Sequence, residues 1–191
     1  MPIRIEQAAD HEAVASVHQA AFGGDHGVTV SRLVDALRRD DPTALSLVAV
    51  EADEVVGHVM FSRGRLDAPR QLVAVRSLSP LGVAPRWQRR GVGSALVRAG
   101  LREVDERGVP LVFLEGDPRY YSRLGFTQGA DHNFRNPSLR IPDWAFQVVR
   151  LSAYEPWMTG TFVYSNTFWD YDCVGRREPT PDETSGSASG G

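Results

Sequence analysis

The stretch LSPLGVAPRWQRRGVGSALV, Leu78 to Val97, decides how this chain of 191 residues is read. It sets an apolar extended segment directly before a glycine-rich turn and an amphipathic helix. That order can build an anion cradle from backbone, because the first amides of a helix lack intrahelical acceptors and its dipole favours negative charge there. Gly91 and Gly93 permit a close approach that side chains would block. Arg86, Arg89 and Arg90 form a local basic patch, the latter two suited to a pyrophosphate. An ordinary helix-entry turn would use the same glycines, so the flanking strand and helix carry the phosphate reading.

Upstream of the turn, Leu72 to Val83 reads as one long extended segment interrupted by Pro80. Proline has no amide proton, so Pro80 predicts an edge, a bulge or a strand splaying from its neighbour. A splay would leave backbone groups free to meet a ligand. Downstream, the spacing predicts a helix from Val92 to about Glu106, with Val97, Leu101 and Val104 on its buried face. Gly108 stops it, and the apolar run Val109 to Glu115 follows as a strand. Strand, helix, strand permits a crossover and a partly parallel sheet. Asp117 and Pro118 then open another helix that Gly125 ends near Leu124.

Toward the N-terminus, Ile3 and Ile5 mark a short strand, and a helix begins near Asp10. Val14, Val17, His18 and Ala21 fall at helical spacing, which puts His18 on the helix flank rather than in a metal site. Val30, Leu33, Val34 and Leu37 draw a second helical stripe. Leu45–Val50 and Val55–Phe61 read as a hairpin, and RGRLDAPRQ (63–71) as another turn. Toward the C-terminus, aromatic residues accumulate: Trp144, Phe146, Tyr154, Trp157, Phe162, Tyr164, Phe168, Trp169 and Tyr171 are expected to close the core or line a pocket. Alternation through Phe162, Tyr164, Asn166 and Phe168 predicts a late strand. The expected organisation is one α/β domain over 1–175 and a polar, Pro/Gly/Ser-rich tail over 176–191, a composition that predicts disorder.

Composition narrows the function classes. Apolar residues at 42% and charged residues at 24% are ordinary for a soluble globular chain. A net charge of -3 offers no broad attraction to nucleic acid. Cys173 is the only cysteine, which excludes an intrachain disulfide and a multi-cysteine zinc site. A polar start and the lack of any apolar run near ~20 residues predict no secretory signal and no membrane span, hence a cytoplasmic setting. His11, His18, His26, His58 and His132 form no H-E-x-x-H motif, Ser79 has no G-x-S-x-G around it, and the glycine-rich turn lacks both G-K-[ST] and the full G-x-G-x-x-G. No metal is expected.

The turn instead resembles the acetyl-CoA-binding motif of the GNAT superfamily of N-acetyltransferases, Q/R-x-x-G-x-G/A after a splayed strand. Gln88, Arg89, Arg90, Gly91, Val92 and Gly93 occupy the matching positions. The similarity spans residue 3 to about 170, with its specific motifs between Leu78 and Phe126, and looks most like bacterial small-molecule N-acetyltransferases whose strand reads P-L-x-V-x-P. Gly82 stands where alanine is common, and the aromatic segment after Gly125 is longer than in the shortest members.

The resemblance implies an α/β fold with a mixed, twisted and splayed central sheet flanked by helices. It implies that backbone groups of Leu81, Gly82 and Val83 meet the acetyl and pantetheine atoms, and that Gln88 through Ser94 hold the pyrophosphate. It places Tyr121, four positions before Gly125, as the acid that protonates the coenzyme A thiolate, with Tyr120 as the adjacent alternative. The implied reaction moves an acetyl or other short acyl group from acyl-CoA directly to a primary amine of a small molecule. Alternatives are a protein or peptide amine as acceptor, and a non-catalytic acyl-CoA-binding regulator. A neutral amine must attack, so a base is needed. Glu115 at the end of an apolar strand and His58, whose residue type titrates near neutrality, are the candidates, each with a packing role as its alternative. The late strands could support a homodimer.

Overall fold

A computed structural model describes residues 1–177. The tail expected at 176–191 therefore lies, from 178 onward, outside the described residues. Strands β1 (Ile3–Ile5), β2 (Leu45–Glu51), β3 (Glu54–Asp67) and β4 (Leu72–Val83) form an antiparallel run. Between β1 and β2 come α1 (His11–Phe22), preceded by a short 3-10 turn at Ala8–Asp10, and α2 (Gly24–Asp40). Helix α3 (Val92–Glu106) crosses from β4 to β5 (Leu111–Glu115), and those two strands pair in parallel. After α4 (Pro118–Tyr121) come β6 (Thr127–Gln128), β7 (Phe134–Arg135), β8 (Phe146–Arg150), β9 (Gly160–Tyr164) and α5 (Asn166–Asp170). The sheet runs β1-β2-β3-β4-β5-β8-β6, with β9 on the far half of β3 and β7 parallel to β9.

Two apolar layers hold this sheet, as alternation along each strand requires. One face packs Phe113, Phe134, Phe146 and Phe162 with Val14, Val17, Leu33, Val34 and Leu37 of α1 and α2. The other packs Phe61, Leu78, Val112, Leu114 and Phe126 with Val92, Leu96, Val97 and Val104 of α3. Phe113 stacks on Phe162 with ring centroids 4.6 Å apart, so part of the expected aromatic closure of the core is present. Trp144 and Trp169 depart from that expectation, at 58% and 39% exposed.

Two expectations about element boundaries need correcting. The segment expected to turn at 63–71 remains strand through Asp67, because Gly64 to Asp67 pair with β4 on one side and with β9 on the other. The late strand ends at Tyr164, and Asn166 and Phe168 belong to α5. Ser165 is the last extended residue, and Phe168 turns back to lie 4.7 Å from the Tyr164 ring. Alternating aromatics describe a strand or a short helical return equally well over so few residues. Among the described residues no helix is long and apolar enough to cross a membrane.

Candidate acyl-transfer site

Pro80 marks two distortions of β4. On the β3 side the register jumps from Val59↔Leu81 to Phe61↔Leu78, so Ser79 and Pro80 bulge opposite Met60. On the β5 side pairing is confined to Arg76↔Val112 and Ser77↔Phe113, and beyond Ser77 the two strands part. Ala84 N–H donates to the Val56 carbonyl at 2.9 Å, so by strand alternation Val83 and Leu81 turn their backbone groups away from β3, into the gap. Gly82, between them, turns its backbone groups toward His58 of β3, and its Cα faces His18 of α1. The carbonyl of Val83 accepts from the Gln88 side chain at 3.0 Å, which folds the loop back onto the strand end.

The loop enters α3 through two left-handed residues, Arg89 (φ 59°) and Gly91 (φ 82°). Gly91 has open space around it, so glycine is required there for backbone conformation rather than for room. Close approach governs Gly93, where an added Cβ would sit 2.7 Å from the Tyr120 hydroxyl. Among the described residues no side chain caps α3, and its first turn carries no acid. The leading amides, Gly91 through Ser94, are thus left for an external anion. Arg86 is engaged with Glu54, and Arg90 lies over the Trp87 ring at 5.2 Å. Among the described residues Arg89 makes no ion pair, which leaves its charge for a ligand.

The two tyrosines of α4 point to different places. The Tyr120 hydroxyl accepts from Ser94 Oγ at 3.4 Å and lies against the first turn of α3. Tyr121 packs its ring over Gly116, just past the end of β5, and edge-on to Phe126 at 5.7 Å. Burial, with Tyr120 adding to it, raises the Tyr121 phenol pKa well above its ordinary value, so it stays protonated.

The base candidates sit on the opposite face of the sheet. Glu115 Oε1 accepts from the Tyr164 hydroxyl at 2.8 Å, and Oε2 accepts from Gly175 N–H at 3.1 Å. Burial raises its pKa, while those two donors and Arg140 pull it down. His58 is wholly buried, bonded on one side to His18 and on the other to Ser46. The helix-flank placement of His18 is corrected by the same contact: His18 is 0% exposed, because α1 lies flat on β3 and β4 and its stripe is wider than Val14 and Val17. An imidazole in register with core valines was the sequence signal for this, and periodicity alone does not separate a flank from a core position. A surface concavity of about 490 Å³ lined by Thr43, Arg63 and Arg76 lies at the opposite end of β4 and takes no part in this arrangement.

The family model described as an acetyltransferase (GNAT) domain matches residues 2–129. The chain belongs to the GNAT acetyltransferase family. Among its relatives is an uncharacterized N-acetyltransferase, YjhQ, of Escherichia coli strain K12, 34% identical over 64% of this chain and 67% of that one. The GNAT-family N-acetyltransferase YhbS of Escherichia coli, solved in complex with CoA, is 32% identical and superposes with a TM-score of 0.77 over 87% of this chain and 91% of that one. A GNAT-family acetyltransferase of Brucella melitensis, solved in complex with acetyl-CoA, is 30% identical with a TM-score of 0.70, covering 87% and 97%. The GNAT fold thus extends past the matched domain into the aromatic C-terminal strands.

Proposed function

We propose that this GNAT protein transfers an acetyl or other short acyl group from acyl-CoA directly to the primary amine of a small molecule. The observation that carries the reading is the conjunction of β4, unpaired toward β5 beyond Ser77, with the uncapped start of α3. An extended thioester arm suits the gap, and its pyrophosphate suits the amides of Gly91 to Ser94 and the guanidinium of Arg89. The two family members solved with CoA and acetyl-CoA support the same choice of cosubstrate.

Within this reading the backbone of Leu81 and Val83 lines the arm, and an amide there polarises the thioester carbonyl as charge develops on its oxygen. Positioning the amine beside that carbonyl supplies much of the rate. Tyr121 is assigned as the acid for the departing thiolate, since its ring lies at the β5 side of the gap and its phenol holds its proton. Tyr120, held to Ser94, is assigned to the pyrophosphate end. Glu115 is engaged by Tyr164 and Gly175, and both ring nitrogens of His58 are taken, by His18 and Ser46, so a base has to be found among groups that connect to them.

The test is a panel of small amines and peptides incubated with acetyl-CoA, with the product read by mass. Acetylated small amines are expected. For an accepted amine, Tyr121→Phe should lower kcat about 100-fold or more while acetyl-CoA affinity is kept, and Tyr120→Phe should mainly weaken acetyl-CoA binding. Acetyl-CoA binding with no product across the panel would overturn the transferase reading, and an unchanged kcat in Tyr121→Phe would remove Tyr121 from the acid role.

A further inference from the structure

Behind β4, a chain of buried polar groups runs through an otherwise apolar layer. His18 Nε2 lies 2.7 Å from His58 Nδ1, His58 Nε2 lies 2.7 Å from Ser46 Oγ, and the Ser46 hydroxyl donates to Glu6 Oε2 at 2.5 Å. Arg38 closes the far end, donating from Nη2 and Nε to the two Glu6 oxygens. His18 and His58 are both 0% exposed. Among the described residues one atom of this relay has no partner: His18 Nδ1. It is aimed at Gly82, where an added Cβ would stand 2.6 Å from it, so the missing side chain is what lets the imidazole reach the splayed strand.

The proton positions follow from the carboxylate end. Glu6 accepts from Ser46, so Ser46 Oγ accepts from His58 Nε2–H, and His58 Nδ1 accepts from His18 Nε2–H. Every donor is used, and the lone pair left over is the one on His18 Nδ1. A buried lone pair without a partner is costly, which marks it as a place for a donor the free protein does not supply.

Resting on the acyltransferase reading above, we propose that His18 Nδ1 is the general base for the acceptor amine, and that His58, Ser46 and Glu6 are positioning residues forming the relay behind it. The N–H bond of the acceptor ammonium breaks, directly or through one water, and a bond forms at Nδ1. The electron pair left on nitrogen attacks the thioester carbonyl carbon, and the C–S bond breaks with its electrons going to sulfur. The charge arriving on His18 is relieved by moving each proton one link toward Glu6. The cosubstrate loop and Tyr121 lie on the other face of the sheet, so proton removal from the amine and proton delivery to the thiolate are kept apart.

The relay is what makes such a base workable. Burial lowers the His18 pKa well below its ordinary value, with the neighbouring His58 and Arg38 adding to the effect and Glu6 opposing it. His58 is lowered to about 3 by burial, with Arg38 and His11 contributing. Both rings are therefore neutral and ready to accept at pH 7, but an isolated imidazole in this setting would not hold a proton. Among these neighbours Glu6 is the one that favours a charged ring, and the relay leads the proton toward it. Phe22 stacks on the His18 ring at 5.9 Å and is itself 40% exposed, with His26 against its outer side.

Two measurements test this. In 15N spectra of the free protein at pH 7, His18 should carry its proton on Nε2 and His58 on Nε2. A proton on His18 Nδ1, or a cationic ring, would overturn the relay whatever the activity. With an accepted amine, His18→Gln should lower kcat/KM about 100-fold at pH 7 with acetyl-CoA affinity unchanged, and the deficit should shrink as pH approaches the amine's own pKa. Ser46→Ala, which cuts the chain beyond both rings, should give a smaller deficit of the same pH shape. A deficit independent of pH in both variants would reduce His18 to a packing role. The spectra need no substrate, so a protein that transfers no acyl group would fail the reaction without deciding the relay.

Discussion

The Asp10 carboxylate takes three hydrogen bonds near the start of α1: two from the Arg4 guanidinium, at 2.6 and 2.9 Å, and one from Gln7 N–H at 2.7 Å. Arg4 foremost, with the Gln7 amide, holds its pKa down from 3.8 to about 2. A carboxylate depressed on folding stabilises above its unfolded pKa and loses that contribution as pH falls toward its folded one. Because Arg4 is partly exposed, solvent screening leaves about 1–2 kcal/mol of this at pH 7. Asp10→Asn should cost that amount in denaturant unfolding at pH 7, and its difference from the parent should shrink below pH 4 and vanish only as pH falls through about 2. At this scale the sequence was legible where a residue acts on its own turn. Asp10 as a helix start, Gly108 and Gly125 as stops, and Pro80 as a strand irregularity all act through local backbone geometry. His18 was misplaced because its role depends on what α1 covers.

For α3 the informative residue is Gly100, in the middle of the helix and facing β3. Helix propensity alone favours alanine there by about 1 kcal/mol. An added Cβ would overlap the ring of Phe61, which is 0% exposed and has no free volume to retreat into. Overpacking therefore wins, and Gly100→Ala should destabilise by about 1–3 kcal/mol in urea unfolding, with an unchanged m-value. An increase in stability would mean that the helix can lift off the sheet without loss. Elements whose pattern is local, such as α2 and α3, were readable from their stripes. The true length of β3 was not, because its second half is defined by pairing with β9, almost a hundred residues away in sequence. The same holds for the late aromatics, whose alternation fits either outcome until Phe168 is seen to fold back on Tyr164.

Across the whole molecule the proposed acyl-CoA site joins three elements that are separate in sequence: the end of β4, the start of α3 and the α4 tyrosines. A ligand bridging them should stabilise the fold as a unit. At about 100-fold over its Kd, CoA is expected to contribute about 2.7 kcal/mol and raise Tm by about 5–10 °C. Pantetheine at the same concentration lacks the pyrophosphate and should raise it far less. Equal shifts from the two would remove the α3 amides from the binding site. The turn at Gly91 to Ser94, proposed as the cradle, could be placed without the structure because its order after a strand and before a helix is local. The different directions of Tyr120 and Tyr121 could not, since they depend on what α4 packs against.

From the sequence alone came the fold class, the glycine-rich turn proposed to hold the cosubstrate and the family resemblance, all of which rest on short-range order: a proline in a strand, glycines at turns, stripes along helices. Tertiary structure alone decided what meets across the sheet. It set Glu115 under Tyr164 and Gly175, shut His58 away from solvent, and laid His18 against Gly82 at the head of a buried chain to Glu6. Those contacts join residues tens of positions apart, and they exist because α1 and α2 pack on the face of the sheet opposite α3. Local pattern sets which way a side chain turns, and only packing sets what it meets there.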